Sequence, residues 1–344
     1  MVCNEAGASF SCGMARGAPM RRAGAALLLC LLLCGCSWKD AGDLSAVTAG
    51  TISREGQQYQ LTAELALPDA DTAVPASKQV SGAAQTMEQA IDDTGAGLDV
   101  QLYWSHARVL FLDDTVLSGG IGSCVQELHA DSAVRPSVRV CAVRESRAAD
   151  IFACQSIGGE PVGFSVGDSL SYAIQQSQVP DMPLYRVYNA LETQGIDPVL
   201  PAVSLAGEQV QLDGCALFSG ETCSGWLNRE QTAVLSLLLH SGEQAVLYDD
   251  GEPLVLRAIR VRRSVAEDAC EIQVSADAAC KTDEQVRRAA RVAQEQCTRV
   301  IERLKQADCD ALGIGRLSGQ AWRTVPVTVS VTMHAAQSTE GGNQ

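Results

Sequence analysis

Residues 109–143 read VLFLDDTVLSGGIGSCVQELHADSAVRPSVRVCAV. Val109-Leu110-Phe111-Leu112 is a continuous apolar run bounded by Asp113-Asp114, the pattern of a strand buried on both faces. The segment from about Gly120 to His129 reads as a helix, and Val138 to Val143 as a second strand, so the order is that of a βαβ unit.

Working outward toward the N-terminus, Ala46 to Ile52 and Tyr59 to Leu65 flank a turn at Arg54-Glu55-Gly56 and read as a β-hairpin. Residues 68–82 (PDADTAVPASKQVSG) carry Pro, Ser and Asp without period and read as a loop. A short helix starts between Thr86 and Ile91. On the C-terminal side, helices are expected over Ser169 to Gln178 and Leu184 to Gln194, ended by Gly195-Ile196-Asp197-Pro198. A domain boundary is placed near residue 205, after Pro198 and Pro201.

Beyond it, Val210 to Phe218 and Thr222 to Leu227 form a second hairpin around Ser219-Gly220-Glu221. Asn228 caps a helix running through Leu239. Strands follow at Ala245 to Tyr248, Leu254 to Val261 and Glu271 to Val274. Thr282 to Gln285 is a capping box, and Val286, Ala289, Ala290, Ala293, Cys297, Val300, Ile301 and Leu304 make one apolar stripe on the longest helix. Val325 to Met333 alternates Val with Thr and Ser, a half-exposed strand, and residues 337–344 read as a disordered tail.

The N-terminus has a different logic. Arg21 and Arg22 precede thirteen small or apolar residues, Ala23 to Gly35, and then Cys36. Thirteen helical residues rise about 20 Å, short of a bilayer core of roughly 30 Å, so residues 1–35 read as a signal peptide. Leu33-Cys34-Gly35-Cys36 resembles a lipobox, with Cys34 unusual at its position, which makes Cys36 the expected lipidation site and the link to membrane lipid. The plainer alternative is an ordinary signal peptide, or an uncleaved anchor, that contains a cysteine. Residues 1–19 have no usable pattern, and translation is expected to start at Met14 or Met20.

With 344 residues, two or three domains are expected. Hydrophobic residues are 46% and aromatics 4%, so the cores are built from Val, Leu, Ala and Ile. Residues 36–344 hold 23 basic and 40 acidic side chains, a net charge of -17, which excludes nucleic acid as a partner and argues against a polybasic hold on anionic lipid.

The motifs of catalysis are missing. His106, His129, His240 and His334 fall in no metal-ligand spacing, so no metal is expected, and no cofactor either. There is no nucleophile elbow, P-loop or dinucleotide fingerprint, and Gly313-Ile314-Gly315 follows a helix. Asp113-Asp114 and Asp249-Asp250 read as solvated strand-end pairs. Nine cysteines follow Cys36: Cys124, Cys141, Cys154, Cys215, Cys223, Cys270, Cys280, Cys297 and Cys309. Their number is odd, and several sit on apolar faces, so packing is favoured over bridging. A turn at Gly220-Glu221 sets Phe218 opposite Cys223 and Cys215 opposite Trp226, so Cys215 and Cys223 are expected on opposite faces and unbonded.

Seven segments together resemble the Ger(x)C family, the lipoprotein C subunits of spore germinant receptors. They are the lipobox with Trp38 and Asp43 to Gly50; Val80-Ser81-Gly82 with Thr86, Ala90 and Ile91; Leu102 to His106; Gly195 to Pro201; Gly214 to Phe218; Gly225-Trp226-Leu227; and Leu312 to Gly315 before the Val325 to Val331 strand. Lys39 to Gly42 departs from the charged run usual after the family's lipobox, and the many cysteines are atypical. The resemblance implies an α+β fold of two to three subdomains, with mixed or antiparallel sheet and packed helices. Residues 36–205 and 206–336 would form N- and C-terminal Ger(x)C-like domains. It further implies a non-enzymatic accessory subunit anchored on the outer face of the inner spore membrane, partnered by integral-membrane A and B subunits, with no catalytic residue to carry over and no known ligand-binding set. Tyr103, Trp104 and Trp226 read as packing residues. The rival readings are a solute-binding lipoprotein of an ABC importer, which would need two doubly wound lobes, and a thiol-dependent envelope enzyme.

Overall fold

The computed structural model describes residues 44–336 apart from 68–74, 155, 157, 267–268 and 281. Residues 1–43, which include Cys36 and the expected signal peptide, and residues 337–344 lie outside these residues. β1 (Leu44–Glu55) and β2 (Gln58–Leu67) form the expected antiparallel hairpin, turning at left-handed Gly56. β3 (Ala76–Ala84) pairs antiparallel with β2, so residues 76–82 are strand where composition suggested loop. The reason is position: β3 is the edge of its sheet, its first four side chains are exposed, and no apolar alternation was needed. After it come α1 (Met87–Gly95), capped by Thr86, and the short β4 (Gln101–Tyr103).

β5 (Val109–Leu112), α2 (Asp114–Gly119), α3 (Gly122–Ala130) and β6 (Arg139–Val143) make the expected unit, with β5 and β6 parallel and β5 also parallel to β1. Leu110 and Leu112 enter the larger of two hydrophobic clusters and Val109 and Phe111 the smaller. Both faces of β5 are therefore covered, which accounts for its unbroken apolar run.

α4 (Val162–Gln175) and α5 (Leu184–Glu192) lead to β7 (Val199–Ala206), parallel to β6, and then to the antiparallel β8 (Gln209–Ser219) and β9 (Thr222–Leu227). The sheet order is β3-β2-β1-β5-β6-β7-β8-β9, with β4 beside the start of β1. Strands before and after residue 205 thus belong to one sheet. A bulge between Leu217 and Phe218 sets Phe218 opposite Cys223, as expected, but puts Leu227 rather than Trp226 opposite Cys215. The extra residue resets the alternation, and both cysteines pack on the same core, unbonded.

α4 begins seven residues before the expected Ser169 because its first turn is stabilised from a distance. Glu64 on β2, wholly buried, accepts hydrogen bonds from the N–H groups of Val162 (2.9 Å) and Gly163 (2.8 Å), and from the Thr48 hydroxyl. A carboxylate there satisfies orphan donors and meets the positive end of the helix dipole.

The second sheet follows α6 (Arg229–Leu239), whose capping box joins Asn228 and Gln231. β10 (Gly242–Asp249), β11 (Glu252–Ala266), β12 (Ala269–Ala278) and β13 (Val327–Ala335) lie in that order, with β12 and β13 parallel. The crossover between them carries α7 (Asp283–Gln306), capped by Thr282 and Gln285, and α8 (Ile314–Ser318). α7 buries Val286, Ala289, Ala293, Cys297, Val300, Ile301 and Leu304, each branched aliphatic side chain contributing on the order of 1.5–3 kcal/mol. The fold is α+β, mixed in its sheets.

Candidate functional site

The segments that carried the resemblance meet in pairs. β4 pairs with the start of β1 and leads into a single helical turn, Trp104–His106, and a Cβ on Gly50 would come within 3.1 Å of both the Trp104 ring and Leu110. Gly82 on β3 faces the α1 backbone so closely that a Cβ would sit 2.6 Å from the Ala90 carbonyl oxygen. Gly214 to Phe218 and Gly225 to Leu227 are the two halves of the β8–β9 hairpin.

The fourth pairing is the most polar. Asp197 accepts from the N–H of Asp310 (2.6 Å) and of Gly220 (2.8 Å), while its own N–H donates to the Asp310 carbonyl (3.1 Å). Asp310, 3% exposed, accepts through its carboxylate from the N–H groups of Ile314 (2.8 Å) and Gly315 (2.6 Å). Gly195, at φ 78°, receives the Arg316 N–H on its carbonyl at 3.1 Å, and a Cβ there would lie 2.6 Å from Arg316 N. Burial raises both carboxyls above the ordinary aspartate range, and the backbone donors pull against that rise. Gly195, Asp197, Asp310, Gly315, Arg316 and Trp322 line an open cleft of about 600 Å³. Each of the four carboxylate oxygens holds a backbone N–H, so the arrangement ties two distant chain segments together.

Elsewhere, Asp113 is not the solvated residue its strand-end position suggested. It is buried, caps α2 through Thr115 N and accepts from Ala148 N at 2.8 Å. Asp249 forms an ion pair with Arg288 at 2.7 Å. Trp104 is buried, Trp226 packs partly buried under Arg144, and Tyr103, 36% exposed, contacts His106. His129 stacks on Tyr188 with centroids 4.1 Å apart. One cleft gathers Asp181, Ser236 and His240, but Ser236 Oγ has no hydrogen-bond partner and Asp181 is engaged with Arg139 and Arg186, both at 3.4 Å. Among the described residues no group of histidine, cysteine and acidic side chains is arranged to hold a metal ion. All nine described cysteines are unbonded thiols, and burial pushes Cys124, Cys141 and Cys297 up to about 12.

Residues 39–205 match the family model of the spore germination protein N-terminal domain. The chain belongs to the Ger(x)C family. The fold agrees: a solved structure described as the crystal structure of the GerBC protein superposes with a TM-score of 0.50 at 14% identity, over 83% of this chain and 96% of that one. No curated protein matches the chain. Within this Ger(x)C protein, the recognised domain begins three residues after Cys36 and contains three of the paired contacts' first partners, at Gly50, Gly82 and Gly195. Cys36, the one site residue named from sequence, lies outside the described residues. The Asp197–Asp310 tie was legible only as two separate glycine-rich segments, 113 residues apart.

Proposed function

We propose that this protein is the C subunit of a spore germinant receptor: a non-catalytic accessory subunit, lipidated at Cys36, held on the outer face of the inner spore membrane and required for the nutrient response. The reading rests above all on the germination-domain match across residues 39–205, which starts directly behind the lipobox-like Leu33 to Cys36. Its partners in this reading are the integral-membrane A and B subunits. Among the described residues no helix is long and apolar enough to cross a membrane, and the reading gives attachment to acyl chains on Cys36, where two or three chains hold stably and one does not.

Spores carrying Cys36→Ala provide the test, through membrane fractionation and nutrient-triggered germination together. The expected result is loss of the protein from the membrane fraction and a weakened germination response. A variant that stays membrane-bound removes the acyl anchor, and unchanged germination removes the receptor role.

A further inference from the structure

Among the described residues β13 is an unprotected edge. Its partner β12 occupies one side, and among the described residues no strand pairs with the other. Proteins usually blunt such edges with charge, proline or brevity. The other three sheet edges do so: β3 carries Lys78, β10 carries Glu243 and Asp249, and β9 is only six residues long. β13 has nine residues, VTVSVTMHA, with neither a carboxylate, a Lys or Arg, nor a proline.

The backbone fixes which groups face outward. Cys270 N–H donates to the Pro326 carbonyl (2.8 Å) and Ala336 N–H to the Ala278 carbonyl (2.9 Å). In a parallel ladder alternate residues bond to one neighbour, so the even-numbered residues of β13 point their amides and carbonyls at β12. Val327, Val329, Val331 and Met333 present theirs to the open side. The sequence around them is nearly a palindrome about Ser330: Val329 and Val331 flank it, then Thr328 and Thr332, then Val327 and Met333.

We propose that β13 pairs antiparallel with β13 of a second copy of this chain, about a two-fold axis through Ser330. In that register Val329 meets Val331 of the second copy as a hydrogen-bonded pair, both outward-facing in the ladder, and Val327 meets Met333 likewise. Thr328 meets Thr332, and Ser330 meets itself, as non-hydrogen-bonded pairs. Like side chains face each other on both surfaces: the valines and Met333 on the side covered by α7, the exposed Thr and Ser on the other. Two four-stranded sheets become one of eight strands. A one-residue slip would set inward-facing residues against outward-facing ones, so the backbone and the palindrome select the same register.

The register gives a specific crosslinking test in membranes containing the full-length chain. Facing Cα atoms of a non-hydrogen-bonded pair lie about 4.5 Å apart, within disulfide reach. Ser330→Cys is therefore expected to give a disulfide-linked band of twice the chain mass on mild oxidation, above the background of the native thiols. Thr328→Cys alone is not, since its copy lies about 13 Å away along the strands; mixed with Thr332→Cys it is. Adding Val331→Pro to Ser330→Cys should abolish the band, because proline removes an outward N–H and leaves the ladder to β12 intact. The proposal is overturned by equal crosslinking at Thr328 and Ser330, by no band above background, or by a product whose mass places a different protein at the edge.

Discussion

Glu64 shows how much one buried side chain organises. Its two oxygens hold the first turn of α4 from a strand 98 residues earlier, and Thr48 shares the load. Glu64→Ala strands two helix N–H groups without water, and a loss of about 3 kcal/mol is expected in urea unfolding, with Glu64→Gln losing less because one acceptor remains. The thiols make a different prediction. Cys124, Cys141 and Cys297 hold their protons up to about pH 12 in the folded chain, while an unfolded thiol releases its proton near 8.5. The folded pKa is the higher one, so these groups leave stability unaffected below pH 8.5. As pH rises from there toward 12, deprotonation increasingly favours the unfolded state. At pH 10 the loss is about 2 kcal/mol per thiol. Melting curves at pH 8 and pH 10 should show a steep fall in Tm, and Cys297→Ala should make that fall shallower. At this scale little was legible: the cap residues Asn228 and Thr282 stand out from local pattern, whereas Glu64 reads only as a polar strand residue until α4 is placed above it.

Elements were legible where one face is wet or both are dry. The alternation of β13, the stripe of α7 and the apolar run of β5 each report their surroundings through periodicity. β3 failed because an edge strand with exposed side chains has no such signature, and α4 was shortened because its first turn is buried and capped by a distant residue. The bulge in the β8–β9 hairpin is likewise invisible to a count of turn residues. Gly82 is the element-level contact most open to test. It lets β3 lie against α1, and since a methyl group would strike the helix backbone at Thr94 N and the Ala90 carbonyl oxygen, the helix itself must move. Gly82→Ala is expected to cost roughly 1–3 kcal/mol in denaturant unfolding. Gly56→Ala, with open space around its turn, would show only the smaller cost of a left-handed backbone.

Across the whole molecule, the Asp197–Asp310 tie joins the loop before β7 to the segment between α7 and α8. Asp197→Ala and Asp310→Ala should each destabilise by about 2 kcal/mol through orphaned backbone donors. Their effects should fall short of adding, because Asp310 N–H is itself a donor to Asp197; a double-mutant cycle in urea measures that coupling. Net charge was a poor guide at this scale. Residues 44–228 hold 22 acidic against 8 basic side chains, while residues 229–336 hold 15 against 14, so the acidity belongs to one part of the chain. The distance between the two tied aspartates also sets a timetable. In the proposed lipoprotein the exported chain emerges N-terminus first, and the first sheet can assemble through β9 while Asp310 and the thiols at Cys270, Cys280, Cys297 and Cys309 are still in transit. Under that proposal nine sulfurs face an oxidising compartment in succession, each safe only once packed away. Folding under that proposal is a race between burial and oxidation, and a variant that delays closure should reveal itself first as mispaired disulfides rather than as lost structure.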